Sequence, residues 1–156
     1  GYFDHIFGVQ QIKERTGARV VIHAEDADCL ENSYNSLYMS FMTEPFRVCP
    51  ADIKLFGGER TKIGDVDAEF IHTPGHSRGS MCIIMDNVIF TGDTLFCGDV
   101  GRFDQRGGSF DDLCRSLAML YRLKNDYVLY PGHGEPTTLD MEREQNESFI
   151  KYAHTV

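Results

Sequence analysis

Hydrophobic and polar positions follow helical and strand periods in turn along the first fifty residues. Residues 9–15 have the spacing of a short amphipathic helix, and Gly17 predicts its end. Residues 19–23 are β-branched and continuous, which predicts a buried strand. Residues 25–50 are polar and show no clear period, which indicates either a loop with a helical piece or an insertion that faces a substrate.

From residue 51 onward the pattern predicts strands joined by tight turns. Residues 66–72 alternate as a half-buried strand does, and residues 81–85 and 88–90 flank the turn pair Asp86-Asn87 as in a hairpin. Residues 127–130 predict a further strand, and residues 139–152 a final helix. Another helix is predicted after its capping residue Ser109, from apolar residues at helical spacing: Phe110, Leu113, Leu117, Leu120 and Tyr121. The chain is therefore predicted to be α/β, of the α+β kind.

Several segments carry side chains that bind metals. His76 follows the strand 66–72, Asp93 follows the strand that begins at Val88, and His133 follows the strand 127–130. Loops that leave one edge of packed sheets can converge, and imidazoles with carboxylates are the ligands of a borderline cation such as zinc. Asp4 and His5 form a fourth pair near Gly1, for which the alternative is a helix cap followed by a surface histidine. A single histidine in a turn more often makes only a hydrogen bond, so the prediction depends on the set as a whole.

Composition fits one soluble domain that spans residues 1–156. Hydrophobic residues make up 42% and charged residues 25%, and the net charge of −9 without a basic block argues against nucleic acid. No apolar stretch reaches membrane-spanning length and no secretion signal is seen, so the expected location is the cytoplasm, without a membrane partner. Five cysteines without a Cys-x-x-Cys pair agree with a reducing compartment. Cys97, close to Asp93, is either a ligand or nucleophile or, more simply, a small hydrophobic residue.

At these residues the chain resembles the metallo-β-lactamase superfamily, and within it the type II glyoxalase-like, single-domain thioester hydrolases. The resemblance rests on Asp4-His5, on the string from Thr73 to Ser80, on the string from Thr91 to Phe96, on Gly101-Arg102 and on Pro131-Gly132-His133-Gly134. It implies an αββα sandwich with metals at one edge. It also implies that this chain corresponds to the C-terminal two-thirds of the family domain, because family strands are expected before Gly1 and are absent from the sequence.

The resemblance divides the expected ligands between two cations. The first motif of the family, His-x-His-x-Asp-His, aligned on Asp4, places Tyr2 at the second histidine and the first histidine before Gly1. The first cation is then left with His76 and the shared Asp93. The second cation has its full set: Asp4, His5, Asp93 and His133. One or two zinc ions are expected, with iron or manganese as alternatives.

The resemblance implies a metal-dependent hydrolase that acts on thioesters such as hydroxyacylglutathione. In the family mechanism a metal-bound hydroxide attacks the thioester carbonyl; Asp93 would hold this nucleophile and Asp4 would shuttle a proton. Arg102 is expected either to contact an anionic part of a small-molecule substrate or to form a salt bridge. The alternatives are a persulfide dioxygenase-like enzyme, or a non-catalytic metal-binding fragment or degenerate member. Homo-oligomerisation, or a separate N-terminal fragment, is expected to cover the open side of the sheet.

Overall fold

The computed structural model describes residues 1–156, except for the side chain of Phe41. Contacts between residues divide the chain into two compact units, Gly1–Phe56 and Gly57–Val156. None of the helices in the part of the chain described here combines the length and the hydropathy needed to cross a bilayer.

The first unit contains short helices and a small parallel sheet. The helix predicted at residues 9–15 is confirmed, and it ends at Gly17 in the left-handed conformation, with φ 71°. The predicted strand is shorter than expected: it begins at Val21, whose side chain is 43% exposed, so burial is reached only at His23. The elements are α1 (Phe3–Ile6), α2 (Val9–Thr16), β1 (Val21–His23), a 3-10 helix (Ala24–Leu30), α3 (Tyr38–Phe41) and β2 (Ile53–Leu55), and β1 pairs with β2.

The second unit is built on a six-stranded sheet whose spatial order follows the sequence order. Neighbouring strands are antiparallel except for one parallel pair, whose members are joined by a long crossover that contains a helix. The strands are β3 (Arg60–Ile63), β4 (Val66–His72), β5 (Met81–Met85), β6 (Val88–Gly92), β7 (Val128–Pro131) and β8 (Thr137–Thr138); the helices are α4 (Phe110–Tyr121), α5 (Leu139–Gln145) and α6 (Glu147–Ala153).

The predicted hairpin and the predicted capped helix are both confirmed. Asp86 takes φ 52° in the turn between β5 and β6, a conformation that short acidic side chains tolerate. Ser109 Oγ accepts a hydrogen bond from the Asp112 backbone N–H at the start of α4. One face of the sheet packs on α4 and α6 around a core of fully buried side chains: Cys82, Ile89, Leu113, Leu117, Leu129 and Phe149.

The single final helix predicted at residues 139–152 is wrong, because Asn146 breaks it. Asn146 has an extended backbone, with ψ 97°, between α5 and α6. Its buried side chain accepts from the Phe149 backbone N–H and donates to the Asp99 carbonyl, at 3.0 Å each, and it also donates to Glu142 at 2.8 Å. A side chain that caps the next helix competes with continuation of the previous one, and here the cap prevails.

The face of the sheet opposite this core carries no Asp, Glu, Lys or Arg at its strand positions. The strand register places Phe70, Ile83, Phe90 and Tyr130 in one row on this face. The rings of Phe90 and Tyr130 stack with centroids 5.7 Å apart, and each residue is 43% exposed. Homo-oligomerisation, or cover by another fragment, stays a prediction.

Candidate metal centre

Three of the predicted ligands come together because their strands run in the same direction. β4 and β6 are both antiparallel to β5, and β7 is parallel to β6, so the C-terminal ends of β4, β6 and β7 lie at one edge of the sheet. His76, Asp93 and His133 each follow one of these ends. The sheet topology thus explains how residues far apart in sequence meet.

Asp93 lies at the centre of this group. Its Oδ2 atom is 3.4 Å from His76 Nε2 and 3.5 Å from His133 Nε2. The side chains of His76 and Asp93 are 8% and 9% exposed, whereas that of His133 is 56% exposed. The group therefore has a buried end at His76 and an open end at His133.

These distances fit two ligands of one cation better than a direct ion pair. A charge-assisted N–H to carboxylate hydrogen bond spans about 2.7–2.9 Å. Two tetrahedral ligands, each about 2.0–2.2 Å from zinc, are separated by about 3.4 Å. Both distances from Asp93 Oδ2, 3.4 and 3.5 Å, match the separation of two ligands of one zinc ion.

The tautomer of His76 is set by a backbone carbonyl. His76 Nδ1 lies 2.8 Å from the Arg102 carbonyl oxygen, which can only accept, so Nδ1 carries the hydrogen. Nε2 then presents a lone pair on the side of Asp93. A metal-binding histidine usually donates its other ring N–H to a carbonyl, a carboxylate or water, so the Nδ1 contact with the Arg102 carbonyl suits a ligand role for Nε2.

Two glycines allow the backbone to pass close enough to form this group. A Cβ atom on Gly75 would lie 2.4 Å from the Leu113 Cα, and the φ of Gly75 is +140°. A Cβ on Gly101 would lie 1.8 Å from the Asp93 carbonyl oxygen and 3.4 Å from the His76 Cβ. Gly101 of the Gly101-Arg102 motif is thus required for the close approach of its loop to Asp93.

The other two predicted ligands, Asp4 and His5, belong to the first unit. The structure places them in the single-turn helix α1. His5 Nε2 is 3.6 Å from Asp4 Oδ2, and each side chain is 32% exposed. Tyr2 precedes this helix; its carbonyl accepts from the His5 backbone N–H, and the residue is only 5% exposed. Their ligand roles stay predictions.

The Arg102 side chain forms the salt bridge that was one of its two predicted roles. Its guanidinium donates to both carboxylate oxygens of Asp104, at 2.9 and 3.2 Å, and this pairing raises the pKa of Arg102 and lowers that of Asp104. A substrate role stays a prediction, and a bound anion would have to compete with Asp104. Cys97 is exposed, so its simpler interpretation as a small buried hydrophobic residue does not hold.

The fold gives two further polar side chains partners that the sequence pattern does not indicate. Glu142 is buried, and its carboxylate accepts from the Gly98 N–H, the Thr137 hydroxyl and the Asn146 amide. Gln105 lies beside the His76 ring. Gln105 lies outside the motif strings named above, and only the fold brings it to this position.

Comparison with known proteins agrees with the site. The family model of the metallo-beta-lactamase superfamily matches residues 3–133. The hydroxyacylglutathione hydrolase GloC of Haemophilus influenzae is 30% identical over 151 residues, which cover 94% of this chain and 71% of GloC.

Two solved structures share the fold at similar identity. The BLEG-1 B3 metallo-beta-lactamase has a TM-score of 0.88 and 31% identity, with 94% of this chain and 72% of that chain covered. TTHA1623, solved in a di-iron-bound form, has a TM-score of 0.80 and 30% identity over the same shares of the two chains. The chain belongs to the metallo-β-lactamase superfamily of metal-dependent hydrolases.

Proposed function

We propose that this protein is a metal-dependent thioester hydrolase that acts on hydroxyacylglutathione-like substrates. The observation that carries the proposal is the approach of His76 and His133 to a single oxygen of Asp93 at ligand-to-ligand distances. The similarity to GloC supports the choice of thioester. The chain covers 71% of GloC, and it carries the motif strings of the type II glyoxalase-like branch.

The donor set fits a divalent cation. His76 and Asp93 would hold it at the buried end of the site. The resemblance to the family predicts Asp4, His5 and His133 as further ligands, which would join Asp93 around a second cation. Mixed nitrogen and oxygen ligands suit zinc, iron or manganese, and the similar protein TTHA1623 was solved with two irons. When bound, the cation supplies Lewis-acid chemistry, which polarises a carbonyl and lowers the pKa of a water molecule.

The protein groups have separate tasks in this proposal. Asp93, nearly buried, fixes the position of the cation because the Gly101 loop holds its backbone in place. The Arg102 carbonyl keeps the hydrogen of His76 on Nδ1, so that Nε2 stays available as a ligand. The resemblance to the family predicts that Asp4 would shuttle a proton, and its carboxylate, 32% exposed, is open to solvent.

The test is the substitution Asp93→Ala, with Asp67→Ala as control because Asp67 is an exposed residue of the same unit. Elemental analysis and hydrolysis of S-lactoylglutathione are measured on all three proteins. We expect Asp93→Ala to lose both bound metal and activity, and the control to keep both. Activity that survives Asp93→Ala would refute the proposal.

A second candidate is β-lactam hydrolysis, which the similarity to BLEG-1 favours. The string Thr91-Gly92-Asp93 argues against it, because it is part of the resemblance to the thioester hydrolases. A chromogenic cephalosporin assayed beside the thioester separates the two candidates. A metal-loaded protein that hydrolyses the cephalosporin and leaves the thioester intact would establish the second.

A further inference from the structure

The two segments that carry His76 and Asp93 are joined by a pair of buried threonines. Thr73 begins the first segment, before His76, and Thr94 directly follows Asp93 in the second. The hydroxyl oxygens of Thr73 and Thr94 lie 3.1 Å apart, and both residues are fully buried. This contact therefore links the segment after β4 with the segment after β6.

The link crosses a strand that separates the two segments. β5 lies between β4 and β6 in the sheet, and neighbouring strands are about 4.8 Å apart, so β4 and β6 are separated by about 10 Å. His76 Nε2 and Asp93 Oδ2 nevertheless approach to 3.4 Å. Their segments must bend toward each other across the end of β5, and a hydroxyl pair between the segments can fix how far they bend.

Cys82, on β5, completes a chain of hydrogen bonds with these hydroxyls. Its thiol can donate to the Thr91 carbonyl at 3.8 Å, and its sulfur accepts from the Thr73 hydroxyl at 3.5 Å. The Thr94 hydroxyl then donates to Thr73 or to the same sulfur, which also lies within its reach. Every hydrogen of the chain thus has an acceptor, and burial keeps water from competing for these groups.

The backbone of Thr94 contacts the loop that orients His76. Its carbonyl accepts a hydrogen bond from the Gly101 N–H at 3.2 Å. The next residue, Arg102, presents the carbonyl that keeps the hydrogen of His76 on Nδ1. The side chain and the backbone of Thr94 therefore both contact segments that position His76.

We propose that Thr73 and Thr94 are positioning residues, whose hydroxyl pair sets the distance between the imidazole and the carboxylate of the proposed cation site. The inference rests on that proposed site. Ligands must be held within about 0.5 Å of the geometry that a metal requires. Groups behind the ligands typically contribute roughly 10- to 100-fold to metal affinity.

The experiment compares the double variant Thr73→Val/Thr94→Val with the double variant Thr73→Ser/Thr94→Ser. Valine keeps the shape of threonine and removes the hydroxyl, whereas serine keeps the hydroxyl and removes the methyl group. Replacement of both partners of a hydrogen bond by apolar groups of the same shape can be nearly neutral for stability, so the valine variant should fold. Thr61→Val is the control for the substitution itself, because Thr61 is an exposed residue of β3.

The measurements are Zn²⁺ binding to metal-free protein by calorimetry, the absorption spectrum of bound Co²⁺, and stability to urea. We expect the valine double variant to bind Zn²⁺ at one position at least about tenfold more weakly than the wild type, with a changed cobalt spectrum. The serine double variant and Thr61→Val should match the wild type in both. Rescue by serine identifies the hydroxyls, rather than the packing of the methyl groups, as the cause.

The single variants test whether the two hydroxyls act as one unit, and they also decide the question if the valine double variant does not fold. Thr73→Val and Thr94→Val should each weaken Zn²⁺ binding by the same factor as the double variant, because either change removes the shared contact. Folded valine variants that match the wild type, single effects that multiply in the double variant, or equal losses with serine and valine would overturn the positioning role. The proposed hydrolase would stand in those cases, provided that the wild type binds metal and cleaves the thioester. A wild type that binds no Zn²⁺ would overturn both.

Discussion

The buried carboxylate of Glu142 should be a main support of the loop at residues 97–99. Its Oε2 accepts from the Gly98 N–H at 2.9 Å and from Asn146 Nδ2 at 2.8 Å, and its Oε1 accepts from the Thr137 hydroxyl at 2.6 Å. The residue is 3% exposed and Asn146 is fully buried, so water cannot easily replace the carboxylate as the partner of Asn146. Removal of the carboxylate therefore leaves two N–H groups without this acceptor, while the Thr137 hydroxyl can rotate to another.

The cost of Glu142→Ala follows from those two groups. Asn146 is fully buried, and a buried donor left without its acceptor costs about 1–3 kcal/mol, whereas the exposed Gly98 N–H can bind water. The substitution should therefore lower the free energy of unfolding by about 2 kcal/mol. Glu142→Gln should cost only about 1 kcal/mol. Its amide oxygen can accept hydrogen bonds from Gly98 and Asn146, and its NH₂ group can donate to the Thr137 hydroxyl.

Urea denaturation followed by circular dichroism measures these differences directly. Glu144→Ala is the matched control, because Glu144 is exposed on the same helix and its loss should change the free energy of unfolding by no more than about 0.5 kcal/mol. A Glu142→Ala protein within 1 kcal/mol of this control would show that the three hydrogen bonds contribute little. Equal destabilisation by Glu142→Gln would show that charge, rather than acceptor count, matters.

Two further substitutions test the close packing around the site. Gly101→Ala should weaken metal binding by at least about tenfold, because its Cβ would lie 1.8 Å from the Asp93 carbonyl oxygen and must displace it. Gly8→Ala is the control, because a Cβ there meets only a side chain at 3.9 Å. Equal Zn²⁺ affinity of the two variants, measured by calorimetry, would contradict the expectation. Burial raises the pKa of the Cys82 thiol from 9.0 to about 11. Because the folded state holds this proton more tightly than the unfolded state, stability should be unaffected by this thiol below pH 9 and should fall by up to roughly 2.7 kcal/mol as the pH rises to 11. Cys82→Ala should show a shallower fall in urea midpoint over that range, and parallel curves would count against the assignment.

Secondary structure in the second unit could be predicted well because its signals are local. The alternation of β4, the turn at Asp86 and the cap at Ser109 depend on residues that are neighbours in sequence. The break at Asn146 could not be predicted in the same way. It depends on the Asp99 carbonyl, 47 positions away, which accepts from the Asn146 side chain and helps to fix it as a cap.

The first unit was harder to predict because its hydrophobic pattern is weak. β1 is short and its first residue, Val21, is largely exposed, although the β-branched sequence predicts burial. Residues 25–50 gave no period, and the structure contains there a 3-10 helix and the four-residue helix α3. Such short elements are stabilised by packing rather than by an amphipathic face, and single-sequence patterns do not report packing.

The side chains of the candidate site could be predicted from the sequence, but the backbone atoms that position them could not. His76, Asp93 and His133 are visible in the sequence because metal ligands belong to few residue types and follow strands. The groups that position them are main-chain atoms: the Arg102 carbonyl that orients His76, and the Asp93 carbonyl that requires glycine at position 101. This explains why the Gly101-Arg102 motif can matter for the site while the Arg102 guanidinium is paired with Asp104. The motif thus acts through its backbone, because it positions a loop whose main-chain atoms lie against His76 and Asp93.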